Sequence, residues 1–285
     1  MKINKIAIVS KLGSKKAENA VKGIATMLLK QKFKVYTVSP VLIDGAKTVN
    51  SLEDLREIKL DLVITFGGDG TTLRTFRNLE NETPLLTINV GGNRGIFSEI
   101  NLDEIDNAIQ RIKKNEIWLD KRTRVVASCN GKQFQPALNE IYVNRKNLTK
   151  TAEFEIKFQN DVIKQRMDGV MISTPSGSTG HSLSIGGPIL HESLDVLIIT
   201  PVAPVHRLPS IVVPDEKVEI RCSHDCNIAM DAQVIKSAGF GETITIKKYK
   251  KQAVFVRLKK KGLRQMTKLG FYSFRLYCIL CRSSI

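Results

Sequence analysis

The apolar positions fall into two regimes. Through residue 116, short continuous runs alternate with helical spacing. Residues 5–9 (Lys-Ile-Ala-Ile-Val) predict a first strand. Over 15–31, Ala20, Val21, Ile24, Met27 and Leu28 recur with the period of a helix. Residues 34–38 predict a second strand, 51–58 a short helix, 61–66 a third strand and 84–89 a fourth. Over 101–114, Leu102, Ile105, Ala108, Ile109 and Ile112 share one helical face. Strands alternating with helices imply a parallel sheet covered on both sides, with ligands at the carboxyl ends of its strands.

After Ile117 strand follows strand, over 122–128, 135–143, 153–158, 169–173, 196–200, 217–222, 227–230 and 243–249. No strong amphipathic helix separates most of them, which predicts a β-rich second unit. Residues 253–269 are basic and read as strand then helix. The expected division is 1–116, 117–252 and a basic segment 253–285 that packs back on the first unit and ends in a disordered tail. Trp118, just after a helix, reads as a core residue of the junction.

Composition narrows the classes. A chain of 285 residues with 42% hydrophobic residues has enough for two cores. No run approaches a membrane span and no apolar leader opens the chain, so the expectation is a cytoplasmic protein away from membranes. Five cysteines without framework spacing fit reduced thiols. Cys222-x-His224-x-Cys226 with Cys278-x-x-Cys281 has the residue types of a zinc site, but incidental thiols are the better reading. The net charge is +16, and +11 of it lies after residue 240, where twelve Lys and Arg face one Glu. A solvated basic face accounts for it, and no nucleic-acid-binding motif accompanies it, so no specific nucleic-acid partner is expected.

The chemistry gathers on loops. Gly67-Gly68-Asp69-Gly70-Thr71-Thr72 joins the third strand to a segment that can form a helix. Glycines there allow a sharp turn and a close backbone approach, and helix N–H groups favour phosphate. Asp69 is the exception, because a carboxylate repels phosphate. It is either a helix N-cap or a group that takes a proton or holds a metal. A second glycine turn, 90–95, ends the fourth strand. Thr174-Pro175-Ser176-Gly177-Ser178-Thr179-Gly180-His181-Ser182-Leu183-Ser184 packs six hydroxyls into eleven residues and suits a polar ligand.

The first loop resembles the G-G-D-G-T signature of a kinase superfamily that includes NAD kinases, lipid kinases and, more remotely, phosphofructokinases. The hydroxyl-rich loop resembles T-P-T-G-S-T-A-Y-S-L-S of the NAD kinases, and the lipid kinases lack it. Asn139-Glu140, the Arg166-Met167-Asp168-Gly169 turn, Asp231-Ala232-Gln233, Pro201 to Pro204 and residues 89–99 match further marks of that family in order. The chain is thereby similar to NAD kinases, of archaeal type. It departs from them with His181 for a Tyr, Gly180 for an Ala, and His206 shifted by one place.

The resemblance implies a Rossmann-like α/β N-terminal domain plus an all-β sandwich, a homodimer or homotetramer, and phosphoryl transfer from ATP or polyphosphate to the 2′-hydroxyl of NAD. It implies Asp69 as the catalytic base, since a hydroxyl needs a proton acceptor. Gly67, Gly68, Gly70, Thr71, Thr72 and Arg74 would hold phosphate oxygens. Asn139, Glu140, Arg166, Asp168, Thr179, Gly180, His181, Ser182, Leu183 and Ser184 would line the NAD pocket, with Lys150, Ala203 and Gln233 beside them. Mg²⁺ is expected to arrive on the donor phosphates rather than on a protein cage. The alternatives are a lipid-type kinase of the same superfamily and a non-catalytic, basic nucleotide- or nucleic-acid-binding protein.

Overall fold

A computed structural model describes residues 3–91 and 95–259. Part of the second glycine turn, the expected helix after 257 and the whole basic tail lie outside the described residues.

The first unit is built on one largely parallel sheet. Its main path runs Lys47–Val49, Lys34–Val38, Lys5–Ser10, Leu62–Phe66, Leu85–Asn89, Ala253–Arg257 and Trp118–Arg122. All of these pair in parallel except the last two, which are antiparallel. The continuous apolar runs are explained by burial on both faces. Ile6 and Ile8 join one core with helices Lys15–Lys30 and Ile105–Lys113, while Ala7 and Val9 join another with helix Asp69–Leu79. The chain leaves Lys5–Ser10 to one side for Lys34–Val38 and returns on the other side for Leu62–Phe66. Strand order therefore reverses at the carboxyl ends of Lys5–Ser10 and Leu62–Phe66, the place where open α/β sheets bind ligands.

The second unit contains two six-stranded sheets whose strands all pair antiparallel. One runs Ile211–Pro214, Val196–Val202, Gly169–Ser173, Glu140–Arg145, Cys226–Met230 and Val234–Ala238. The other runs Asp161–Met167, Ala152–Phe158, Val218–Cys222, Ile244–Lys248, Val125–Cys129 and Lys132–Gln133. Inward residues of both, among them Phe154, Ile156, Ile172, Ile199, Ile228 and Ile246, form one apolar core.

Three expectations change. Trp118 is not a core residue: it is 44% exposed on the sheet's edge strand. That strand keeps the chain in the first sheet through Arg122, past the expected boundary at 116. The strand expected over 135–143 begins only at Glu140, and its predecessor Ala137 forms a single bridge to Val125. Among the described residues no helix is long and apolar enough to cross a membrane.

The helix Asp69–Leu79 is fastened to the second unit at its carboxyl end. Arg124, fully buried, donates to the carbonyls of Phe76 (3.0 Å) and Asn81 (3.1 Å) and to Lys251 O (2.9 Å). Its guanidinium also lies 5.0 Å from the Tyr249 ring. A cation on the last carbonyls suits the helix dipole. Burial pulls the Arg124 pKa down to about 10, so it stays charged near neutral pH.

Candidate active site

Gly67 makes the strand-to-helix turn possible. A Cβ there would stand 2.3 Å from Thr71 Oγ1. Gly68 is the N-cap of the helix and Asp69 its first residue, so Asp69 is not the cap. Its carboxylate reaches instead to the second glycine turn, accepting from Ile96 N and Phe97 N, each at 3.0 Å. A carboxylate has about four lone-pair directions. Two are used here, and the remainder can accept a proton.

The expected phosphate donors are partly redistributed. Gly67 N donates to Ile88 O (3.0 Å), and Thr71 N and Thr72 N turn back to Gly68 O (3.1 and 3.3 Å). Among the described residues the N–H groups of Gly68, Asp69 and Gly70 have no hydrogen-bond partner. These are the free donors of the helix start. A cavity of about 400 Å³ opens beside them, lined by Lys11, Leu12, Gly68, Gly70, Thr71, Arg74 and Gln233. It sits at the reversal of strand order. Arg74 donates to Ser10 O at 2.9 Å, and its Nε is buried without a partner.

Asn139 and Glu140 stand where the chain enters the strand Glu140–Arg145. Gly177 allows the hydroxyl-rich loop to lie on them, since a Cβ at 177 would be 2.2 Å from Asn139 O. At Gly180 the same construction comes 3.7 Å from Asn139 Nδ2 and 3.9 Å from Glu140 Oε2. Three of the loop's six hydroxyls are already engaged in holding it in place. Thr174 Oγ1 donates to Leu138 O (2.6 Å), Ser178 Oγ to Pro175 O (2.7 Å), and Ser182 Oγ meets Thr200 Oγ1 at 3.3 Å. Ser182 is buried, with its hydroxyl turned to Thr200. Left over are Thr179 Oγ1, Asn139 Oδ1 and Glu140 Oε2, all buried and without a partner among the described residues. Buried polar atoms are ordinarily paired, so three unpartnered ones on Asn139, Glu140 and Thr179 could serve a polar ligand. Burial, with the Asp231 charge second, raises the Glu140 pKa to about 8.

The turn Asp231-Ala232-Gln233 joins the two clusters. Asp231 and Ala232 both have left-handed backbones, φ 49° and 52°. Asp231 accepts from Asn139 N (2.8 Å), Leu138 N (3.1 Å) and Glu140 N (3.4 Å). Gln233 donates to Gly70 O (3.0 Å) and accepts from Arg77 Nη2 (2.7 Å). Its side chain therefore bridges the units rather than only lining a pocket. Burial raises the Asp231 pKa to about 6 despite those three donors and Arg77.

The other expected residues spread outward. The His181 ring meets the Tyr142 ring edge-on at 5.8 Å, and Leu183 and Ser184 follow in the same short helix. Asp168 is paired with Arg145 Nε at 2.7 Å. Arg166 is exposed, and its carbonyl accepts from Val205 N. Ala203 is exposed at φ 47°. Lys150 lies in another groove with Lys146, His224 and Phe240, and reaches this region only through its carbonyl on Arg145 Nη1. Arg77, Tyr142 and the donors of Ile96 and Phe97 were not anticipated. Only Tyr142 carried a signal, since it lies two residues from Glu140 on one strand face. Cys222 and Cys226 are buried in the core, His224 turns to Ser223 Oγ (3.0 Å), and no metal-holding group of His, Cys, Asp or Glu occurs among the described residues.

Comparison with known proteins gives one answer for both units. Residues 6–117 match the model of the ATP-NAD kinase N-terminal domain, and residues 138–258 that of the C-terminal domain. An NAD kinase of Methanosarcina acetivorans is 30% identical over 90% of this chain and 95% of its own. The crystal structure of an Archaeoglobus fulgidus NAD kinase in complex with ATP superposes with a TM-score of 0.75 at 28% identity, covering 93% of this chain and 97% of that one. Yeast NADH kinase complexed with NADH shares the fold, with a TM-score of 0.86 at 18% identity over 98% of this chain and 89% of that one. The chain belongs to the ATP-NAD kinase family.

Proposed function

We propose that this chain phosphorylates the 2′-hydroxyl of the adenosine ribose of NAD, taking the phosphoryl group from ATP or polyphosphate. One observation carries the reading. The three orphaned polar atoms of Asn139, Glu140 and Thr179 are tied, through the turn 231–233, to the glycine loop that presents Asp69. An acceptor pocket and a phosphate loop are thereby held in register.

In this reading NAD lies against Asn139, Glu140 and Thr179, with His181 and Tyr142 at its edge. Asp69 takes the 2′-hydroxyl proton as the oxygen attacks the terminal phosphorus. The phosphorus–oxygen bond to the leaving phosphate breaks, and the electron pair departs with that leaving group. The free N–H groups of Gly68 and Gly70, with Arg74 and Lys11, stabilise the charge on the phosphate oxygens. Both fixed donors on the Asp69 carboxylate hold it without exhausting its lone pairs. A divalent cation carried on the donor phosphates would supply charge neutralisation there, and among the described residues no protein cage stands ready for it, since the Asp69 carboxylate is already engaged by Ile96 N and Phe97 N.

Self-association into a dimer or tetramer belongs to the same reading. It is supported by Val212 and Ile235, exposed on the two edge strands of one sheet. The cytoplasm is the matching compartment, supported by the free thiols of Cys129, Cys222 and Cys226. The test is NADP formation from NAD and MgATP by the purified chain, read with an NADP-specific dehydrogenase. Absence of NADP with either donor would overturn the reading.

A further inference from the structure

Arg257, the last residue of its strand, is buried within a chain of ion pairs. Its Nε donates to Asp120 Oδ2 (2.9 Å) and its Nη1 to Glu99 Oε2 (3.2 Å). Asp120 also accepts from both arms of Arg122, Nε and Nη2, each at 2.7 Å. Arg122 Nη2 goes on to Glu192 Oε1 at 3.0 Å. The order Glu99, Arg257, Asp120, Arg122, Glu192 alternates in charge throughout. Taking these charges out of water is costly, and apolar residues of similar volume are often as stable in such a place. Stability alone is therefore a weak reason for the cluster.

Both ends of the chain stop at the functional loops. At one end Arg257 Nη1 also donates to the Phe97 carbonyl (3.3 Å), which Thr87 Oγ1 holds as well at 2.6 Å. The Phe97 N–H is the donor on Asp69 Oδ1. The Arg257 guanidinium lies 4.3 Å from the Phe255 ring, and that ring stacks on Phe97 at 5.6 Å. Arg257 thus acts on Phe97 through its carbonyl and, by way of Phe255, through its ring. At the other end, Glu192 stands two residues after Leu190, whose N–H donates to Ser178 Oγ of the hydroxyl-rich loop at 3.1 Å. Thr179, with its unpartnered hydroxyl, is the next residue of that loop.

We propose that Arg257 is a positioning residue for Asp69, acting through Phe97, and that the ion chain from Arg257 to Glu192 holds the hydroxyl-rich loop in register with that carboxylate. It is a second tether between the units, separate from the turn 231–233. This rests on the kinase reading above and names what aligns its base. The guanidinium fork serves two carboxylates and a carbonyl at once, which the single ammonium of a lysine cannot copy. Glu192→Ala cuts the chain at its far end, where Arg122 keeps both of its bonds to Asp120.

The test reads hydrogen exchange at the Phe97 amide in the full, ligand-free chain. That amide is held by the Asp69 carboxylate, so its exchange reports how firmly the two are kept together. Arg257→Lys should speed it at least about tenfold while the amides of Cys226–Met230 keep their parent rates, the mark of a local opening. In steady-state kinetics the same variant should lower kcat for NADP formation at least about tenfold and leave the KM values for NAD and MgATP near those of the parent. Glu192→Ala, which serves if Arg257→Lys fails to fold, should lower kcat roughly threefold. The two changes together should cost less than the product of their separate effects. An Arg257→Lys protein with the parent exchange rate at Phe97, or with the parent kcat, would overturn the proposal, as would a Glu192→Ala protein with the parent kcat. Because exchange is read without turnover, that result is distinct from a failure of the parent protein to form NADP.

Discussion

Gly95 closes on Asp69 so tightly that a Cβ at 95 would stand 2.2 Å from Oδ1 of the carboxylate. The second glycine turn is thus shaped around the acid, with Ile96 N and Phe97 N as its donors. Gly95→Ala should displace the carboxylate while sparing both cores. A misplacement of about 1 Å can cost about 100-fold in rate, so kcat should fall on that order with thermal stability little changed. An unchanged kcat would show that the turn does not set the position of Asp69.

The bridge through Gln233 is open to a separate test. Gln233→Leu leaves the Gly70 carbonyl and Arg77 Nη2 without their hydrogen-bond partner, and Arg77 keeps only its longer ion pair with Asp231 at 3.9 Å. Stranding a buried donor costs about 1–3 kcal/mol, and the side chain of Arg77 is only 4% exposed. Denaturant unfolding should show that loss, and kcat should fall more than the KM for NAD rises. Equal stability with equal kcat would mean that the two units are registered elsewhere.

Much of the fold was legible because burial leaves a pattern. The runs at 5–9 and 62–66 are apolar on both faces and admit little but a buried strand. Trp118–Arg122 was missed because Asp120, Lys121 and Arg122 look like surface. Two of them in fact pair inside a charge cluster, Arg122 with Asp120 and Glu192, and Asp120 with Arg257. A strand from 253 that returns to the first unit was expected, but its place beside 85–89 leaves no local trace, since that partner is over 150 residues away.

The site divides in the same way. Glycine spacing singled out Asp69, but the donors of Ile96 and Phe97 are backbone groups, which any residue carries. Arg77 lies in a helix and reads as solvated until Gln233 and Asp231 are placed against it. The hydroxyl-rich loop offers fewer free hydroxyls than its composition suggested, because those of Thr174, Ser178 and Ser182 are taken by Leu138, Pro175 and Thr200.

Glu140 makes stability depend on pH. Its carboxyl is raised from 4.5 to about 8 by burial and the Asp231 charge, so the folded state keeps a proton that the unfolded chain releases. Stability from this group is full below pH 4.5 and is lost as pH rises toward 8. Asp231 contributes in the same direction but lower, between 3.8 and about 6. From pH 6 to 8 the ligand-free protein should therefore lose stability at a slope approaching about 1.4 kcal/mol per pH unit. Glu140→Gln should flatten that stretch. A parent protein with no slope there would contradict the raised carboxyl.

His181 stands where the NAD kinase motif that this loop resembles has a tyrosine, and its ring meets that of Tyr142 edge-on at 5.8 Å. Aromatic pairs contribute about 0.5–1.5 kcal/mol beyond burial. His181→Ala should raise the KM for NAD roughly two- to tenfold by that margin and leave kcat nearly unchanged. Steady-state kinetics with NAD as the varied substrate decide it, and an unaltered KM would remove His181 from the NAD contact.

Asp69 is proposed as the base that takes the proton of the attacking hydroxyl. The most direct measurement is kcat for NADP formation from NAD and MgATP by the parent protein and by Asp69→Asn. The amide keeps the size of the side chain but cannot accept that proton as a carboxylate does. Loss of a general base costs about 100- to 10,000-fold, so kcat should drop at least about 100-fold while circular dichroism and the KM for NAD stay near the parent values. An Asp69→Asn protein that folds and keeps full kcat would contradict the assignment of Asp69 as the base.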